Sequence, residues 1–176
     1  WEFWERAGNY LPPFMLLLMG GTFALRWKDW FSEYTEPKLS GDNIGVLHFI
    51  CRLTIGLLLI GHGGFGAFVE KDMLINHFAS IGLPADVAFI KAVGWFEIIL
   101  GVVVFILPIV PILWFVFVWK VITEFLYVTE GGILNIFEFI ERWGDYGTPI
   151  AMILIIHYQA SQRSKASAAV QESQAA

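Results

Sequence analysis

The chain has 176 residues, of which 57% are hydrophobic and only 15% charged, and its mean hydropathy is +0.64. So few charges leave too little polar surface for a soluble domain of this size. A net charge of -5 with no basic stripe argues against nucleic acid as a partner.

The first ten residues, WEFWERAGNY, are acidic where a signal peptide would be basic, so they do not read as a cleavable leader. They return almost unchanged as FEFIERWGDY at residues 137–146. Both copies share the string E-F-x-E-R-x-G-[N/D]-Y, and each is followed by a proline, Pro13 or Pro149, and an apolar run. In each copy Glu, Arg and aromatic residues at helical spacing predict a short amphipathic helix lying at a membrane interface. The proline then starts a membrane helix, where its missing N–H is not needed.

In chain order, the pattern predicts an all-α integral membrane bundle of about five transmembrane helices and two short interfacial ones. Residues 1–27 form an interfacial segment and a first membrane helix, and 28–43 a polar loop around Pro37 and Ser40. A unit of four membrane helices follows over 44–160. Its second helix of the chain runs over about 44–62 and ends in a turn at Gly63-Gly64-Phe65-Gly66. An amphipathic piece covers roughly 71–81 and stops before Pro84. Ile98 to Trp119 contains no charged residue, but Pro108 and Pro111 divide it, giving helices over about 86–107 and 109–128. The second interfacial segment covers about 133–144, and the fifth membrane helix about 146–160. The Ser/Ala/Gln-rich tail, 161–176, reads as disordered. Four crossings between the motif copies put both on one side of the membrane.

Trp27, Trp30, Trp143 and Tyr146 sit near the ends of apolar runs, as an aromatic belt requires, while Trp95 and Trp119 fit packing positions. The lone Cys51 excludes an internal disulfide and a thiolate metal cluster. Arg26, Lys28, Lys38, Arg163 and Lys165 fall on one side, against Arg6, Lys71, Lys91 and Arg142 on the other, which favours a cytoplasmic C-terminus.

Residues 52–101 resemble the DoxX family of small four-helix membrane proteins. The matching elements are Arg52-Leu53 with Gly56, His62-Gly63, Phe78 with Gly82-Leu83-Pro84, and Glu97 with Gly101; Glu141-Arg142-Trp143-Gly144 before the last helix also fits. The likeness extends over roughly 45–160. The family often carries a Lys four residues after the His of the His-Gly pair, where this chain has Gly66, with Lys71 as the nearest substitute. The resemblance implies a subunit of the prokaryotic inner (plasma) membrane, accessory to a respiratory or sulfur-redox, quinone-linked complex. Other membrane subunits and the lipid bilayer would be its partners, a quinone its candidate small molecule, and no metal is implied. The early motif copy adds the expectation that this is the second unit of a tandem pair. The rival readings are a small-solute transporter or channel and a purely structural assembly subunit.

Ionisable residues at membrane depth need partners. From a rise of 1.5 Å per residue, Arg52 lies ~10 Å, Glu97 ~15 Å, Lys120 ~16 Å and Glu124 ~22 Å below one surface. These four form the expected intramembrane network, either a neutral register lock or a proton or quinone-headgroup site on Glu97 and Arg52. His62 and Gly63, with Trp95, are candidate ligand-proximal residues. The four His divide by side as His48 with His157 and His62 with His77, pairs that could in principle hold a b-type haem but for which the resemblance gives no support. No residue is assigned a catalytic role, since no nucleophile triad, phosphate loop or His/Cys metal spacing occurs.

Overall fold

The computed structural model describes residues 1–19, 41–70, 72–83 and 86–175. Trp27, Trp30, Lys38, Lys71 and Pro84, and nearly all of the 28–43 loop, fall outside them. The described residues are helical throughout, with no strand. The order is α1 (Glu2–Glu5), α2 (Ala7–Met19), α3 (Gly41–Gly64), α4 (Asp72–Ala79), α5 (Val87–Ile106), α6 (Val110–Gly131), α7 (Ile136–Glu141) and α8 (Trp143–Ala175).

Among the described residues, three spans are long and apolar enough to cross a membrane: Asn43–Val69, Val87–Ile106 and Val110–Gly131, with mean hydropathies of 2.0, 2.2 and 1.7. Their lengths follow from local chemistry. Asp86 caps α5 by accepting from the Phe89 N–H at 2.8 Å. Pro108 ends that helix, and Pro111 sits at the start of α6, where it displaces no hydrogen bond. Glu70, in the left-handed conformation at φ 54°, closes the α3 span and pairs with Lys91 at 2.7 Å.

Three expectations about the helices change. Pro13 and Pro149 do not start membrane helices but lie inside α2 and α8. The glycines at 63–66 do not turn the chain: α3 runs through Gly64 into a π-helical turn, Phe65–Val69. Their role is to let α5 approach. A Cβ on Gly63 would strike the Gly94 carbonyl and one on Gly94 the Gly63 carbonyl, so the two backbones touch without side chains between them. The tail from Ser161 is not irregular either, because α8 continues through it to Ala175, exposed from Ser161 to Gln174. Its alanines, with Gln and Lys, are good helix formers.

The core lies between α3, α5, α6 and α8, where Ile55, Leu58, Leu59, Val104, Leu113, Val116 and Met152 are fully buried or nearly so. The outer faces of α5 and α6 are apolar as well: Ile99, Ile106, Val118 and Ile122 are each at least half exposed. A ring of exposed aliphatic side chains around a dry core suits lipid rather than water.

The two motif copies fold alike. Tyr10 donates its hydroxyl to the Phe3 carbonyl at 2.9 Å, and Tyr146 donates to the Phe139 carbonyl at 3.0 Å. In both copies the tyrosine stacks on that phenylalanine with centroids 5.1 Å apart. The copies also meet. A Cβ on Gly8 would run into Gly144 and Asp145, one on Gly144 would run into Gly8, and Arg6 approaches Glu141 at 3.9 Å. Both motifs therefore occupy one end of the bundle.

Candidate functional site: a buried cluster of charge

Beneath the paired motifs, three helices bring ionisable groups together in the interior. His62 lies seven residues before the end of its span and Glu124 seven before the end of α6, roughly 10 Å in by helical rise. Asp145, in the first turn of α8, completes the set. Glu124 is fully buried, Asp145 is 2% exposed and His62 9%. His62 Nε2 is 3.1 Å from Glu124 Oε1 and 3.5 Å from Glu5 Oε1. Lys120, fully buried one turn before Glu124, donates to Glu124 Oε1, and Arg142 Nε lies 3.5 Å from Glu124 Oε2.

Arg142 lies between α7 and α8 and is held from several directions. It bonds Glu138 at 2.7 Å, pairs with Glu141 at 3.4 Å, and stands over the Tyr127 ring at 4.3 Å. Its pKa is raised: burial opposes the charge, but the Glu138 hydrogen bond and the surrounding acids outweigh that.

Of the expected network, Lys120 and Glu124 are joined, and Glu97 lies beside them. Glu97 is buried, accepts from Trp119 Nε1 at 2.8 Å, and shares a cavity wall with His62 and Thr123. Arg52 is elsewhere. It donates to the Phe105 and Ile106 carbonyls at the C-terminus of α5, through Nε to Phe105 at 2.8 Å, and covers the Phe105 ring at 5.5 Å. A helix end presents unsatisfied carbonyls and partial negative charge, so a cation close to it finds a partner without reaching Glu97. Of the ligand-proximal residues, His62 is in the cluster and Gly63 serves helix packing. Trp95 is half exposed, edge-on to Phe68 at 5.2 Å.

Sequence reasoning missed Asp145 and Glu5. The signal for Asp145 was present: where the motifs otherwise agree, the first has Asn9 and the second an acid. Glu5 carried no such mark, since its counterpart Glu141 is half exposed and bound to Arg142.

The enclosed cavity beside the cluster measures about 20 Å³, and His62, His77, Glu97, Thr123 and Tyr127 line it. That is room for one water, not for a quinone ring. His77, on α4, holds Glu130 at 2.9 Å and stands edge-on to Tyr127. Its pKa is lowered, with burial the leading cause. A separate apolar groove of about 650 Å³ runs between α2, α3 and α8, past Gly8, Pro12, Leu47, Cys51 and Gly144.

The described residues thus form a helical protein in which three helices are fit to cross a membrane and a charged centre is buried at one end of the bundle. Comparison with protein-family models, with curated proteins and with solved structures finds no match.

Proposed function

We propose that this chain is a multi-pass membrane subunit with five crossings and a cytoplasmic C-terminus, in which the buried cluster holds cationic charge for a quinone-linked redox complex. The observation that carries the reading is the charge balance of the cluster. Among the described residues, Glu5, Glu97, Glu124 and Asp145 are set against Lys120 and Arg142, with Arg142 shared with Glu138 and Glu141, and Arg6, beside Glu5 and Asp145, is engaged with Glu141. Excess negative charge in an apolar interior is costly until a cation neutralises it.

Reducing a quinone to a quinol takes up two protons with the two electrons, and buried carboxylates with an imidazole near one surface are groups that can carry protons. The 650 Å³ groove, which also touches Gly144 and Thr148 on either side of the Asp145 turn, has the size and apolar lining for a quinone or lipid tail. Five crossings are supported by the apolar stretches of α2 and α8, which flank the three long spans, and by the motif copies meeting at one end.

The test is to purify the protein with its neighbours from source membranes in mild detergent. Quinone reduction is then compared between the wild-type complex and Glu124→Gln. Intact assembly with turnover lowered tenfold or more supports the reading. Unchanged turnover assigns the chain a purely structural role, and substrate-dependent flux in proteoliposomes of the isolated chain assigns it to transport.

A further inference from the structure

We infer that His62, Glu124 and Asp145 form a binding site for a divalent transition-metal ion. The inference rests on reading the cluster as a cation site, but not on the redox assignment. Each residue offers one ligand atom, and these atoms lie within 4.8 Å of one another on α3, α6 and α8. In each residue one buried polar atom, namely His62 Nε2, Glu124 Oε2 and Asp145 Oδ1, lacks a well-formed hydrogen bond, although His62 Nε2 stands 3.1 Å from Glu124 Oε1 and Glu124 Oε2 3.5 Å from Arg142 Nε. Three poorly satisfied buried atoms converging from three helices are a costly arrangement that one shared cation relieves at once.

Protons relieve it less well. A proton on His62 Nε2 can be donated to Glu124 Oε1 at 3.1 Å but leaves Asp145 Oδ1 as it was, and a proton placed on Asp145 creates an O–H that itself needs an acceptor. One imidazole and two carboxylates suit Zn²⁺, Mn²⁺ or Fe²⁺ better than Ca²⁺ or Mg²⁺, which prefer all-oxygen sets. In a tetrahedral zinc site with bonds of about 2.0–2.2 Å, ligand atoms stand roughly 3.3 Å apart. The cluster therefore has to contract only modestly.

The adjoining cations set the character of the site. Lys120 holds Glu124 Oε1 and fixes the carboxylate orientation, and Oε2, 3.5 Å from Arg142 Nε, is the oxygen without a hydrogen bond. A nearby ammonium weakens affinity for a dication, but Glu5, 3.5 Å from His62, and Glu97, which shares a cavity wall with it, offset that charge. The 20 Å³ cavity against His62 leaves room for a water as a further ligand.

The experiment uses the full chain in detergent, stripped with EDTA and titrated with Zn²⁺ alone by calorimetry. His48→Ala/His157→Ala serves as the background, so that the two remaining histidines outside the cluster and its cavity do not contribute. One saturable site per chain is expected, weakened at least tenfold by Asp145→Asn or His62→Gln and not by Glu2→Gln. Because these variants remove groups from a buried site, zinc-edge X-ray absorption on the unaltered cluster gives a second reading. One imidazole with otherwise oxygen ligands is expected. Absence of saturable binding, binding indifferent to both variants, or a spectrum without imidazole overturns the metal site. If Zn²⁺ fails to bind while Glu124→Gln still abolishes turnover, the metal is wrong and the cation-site reading stands. If Zn²⁺ binds as expected and turnover is indifferent, the metal site stands without the redox role.

Discussion

Lys120 and Arg52 are both cations on apolar helices, and their partners differ in kind. Lys120 is fully buried against the Glu124 carboxylate, whereas Arg52 serves the backbone carbonyls that end α5. Removing Lys120 therefore strands a charge, at a cost of about 3–5 kcal/mol. Lys120→Leu is expected to lower the thermal stability of the purified protein sharply, and Lys120→Leu/Glu124→Leu to restore much of the loss. Arg52→Leu leaves neutral carbonyls unpaired, a smaller cost of about 1–3 kcal/mol. Adding Glu97→Leu to it should give simple additivity in a double-mutant cycle, since the two side chains share no partner. Depth along the helices was readable from residue counts alone. The choice of partner was not, because a helix end offers acceptors that no residue letter advertises.

At the scale of elements, the contact between α3 and α5 is set by glycines. Gly94→Ala introduces a methyl group where the Gly63 carbonyl lies 2.6 Å away, and backbone has no rotamer with which to yield. Overpacking of this kind costs about 1–3 kcal/mol, outweighing the roughly 1 kcal/mol gained in helix propensity. Gly45→Ala meets nothing within 4 Å and should be neutral or mildly stabilising. Melting temperatures of the two variants in one detergent make the comparison. The short helix α4 carries a separate, pH-dependent contribution through His77, whose pKa burial lowers from 6.5. The folded state then binds fewer protons than the unfolded state below that value, so stability is full above about pH 6.5 and falls as the pH drops through it. His77→Gln should flatten this part of the stability–pH profile.

For the whole molecule, the contact between Gly8 and Gly144 puts both motif copies at one end of the bundle. In intact membrane vesicles, cysteines at the matching positions Glu2 and Glu138 are expected to react with an impermeant thiol reagent from the same side. A cysteine at Ser167 should react from the other side, and buried Cys51 should not interfere. Labelling of Glu2 and Glu138 positions from opposite sides breaks the five-crossing arrangement.

What the sequence by itself determined is the part governed by local pattern. Runs of apolar residues between prolines and polar caps set the helices expected over 86–107 and 109–128 to within three residues of the observed 87–106 and 110–131, because each boundary is largely a backbone property of its own segment. The doubled motif likewise announced two equivalent structures, each tyrosine returning to the phenylalanine seven residues before it. Only the tertiary structure decided which charges meet. Asp145 and Glu5 reach His62 and Glu124 because the motif helices fold back over the ends of α3 and α6, and Arg52 is drawn to a helix terminus fifty-three residues away. Tertiary packing also turned the glycine run at 63–66 from an expected bend into a contact surface. A glycine permits both, and the choice falls to whether another backbone arrives to occupy the space.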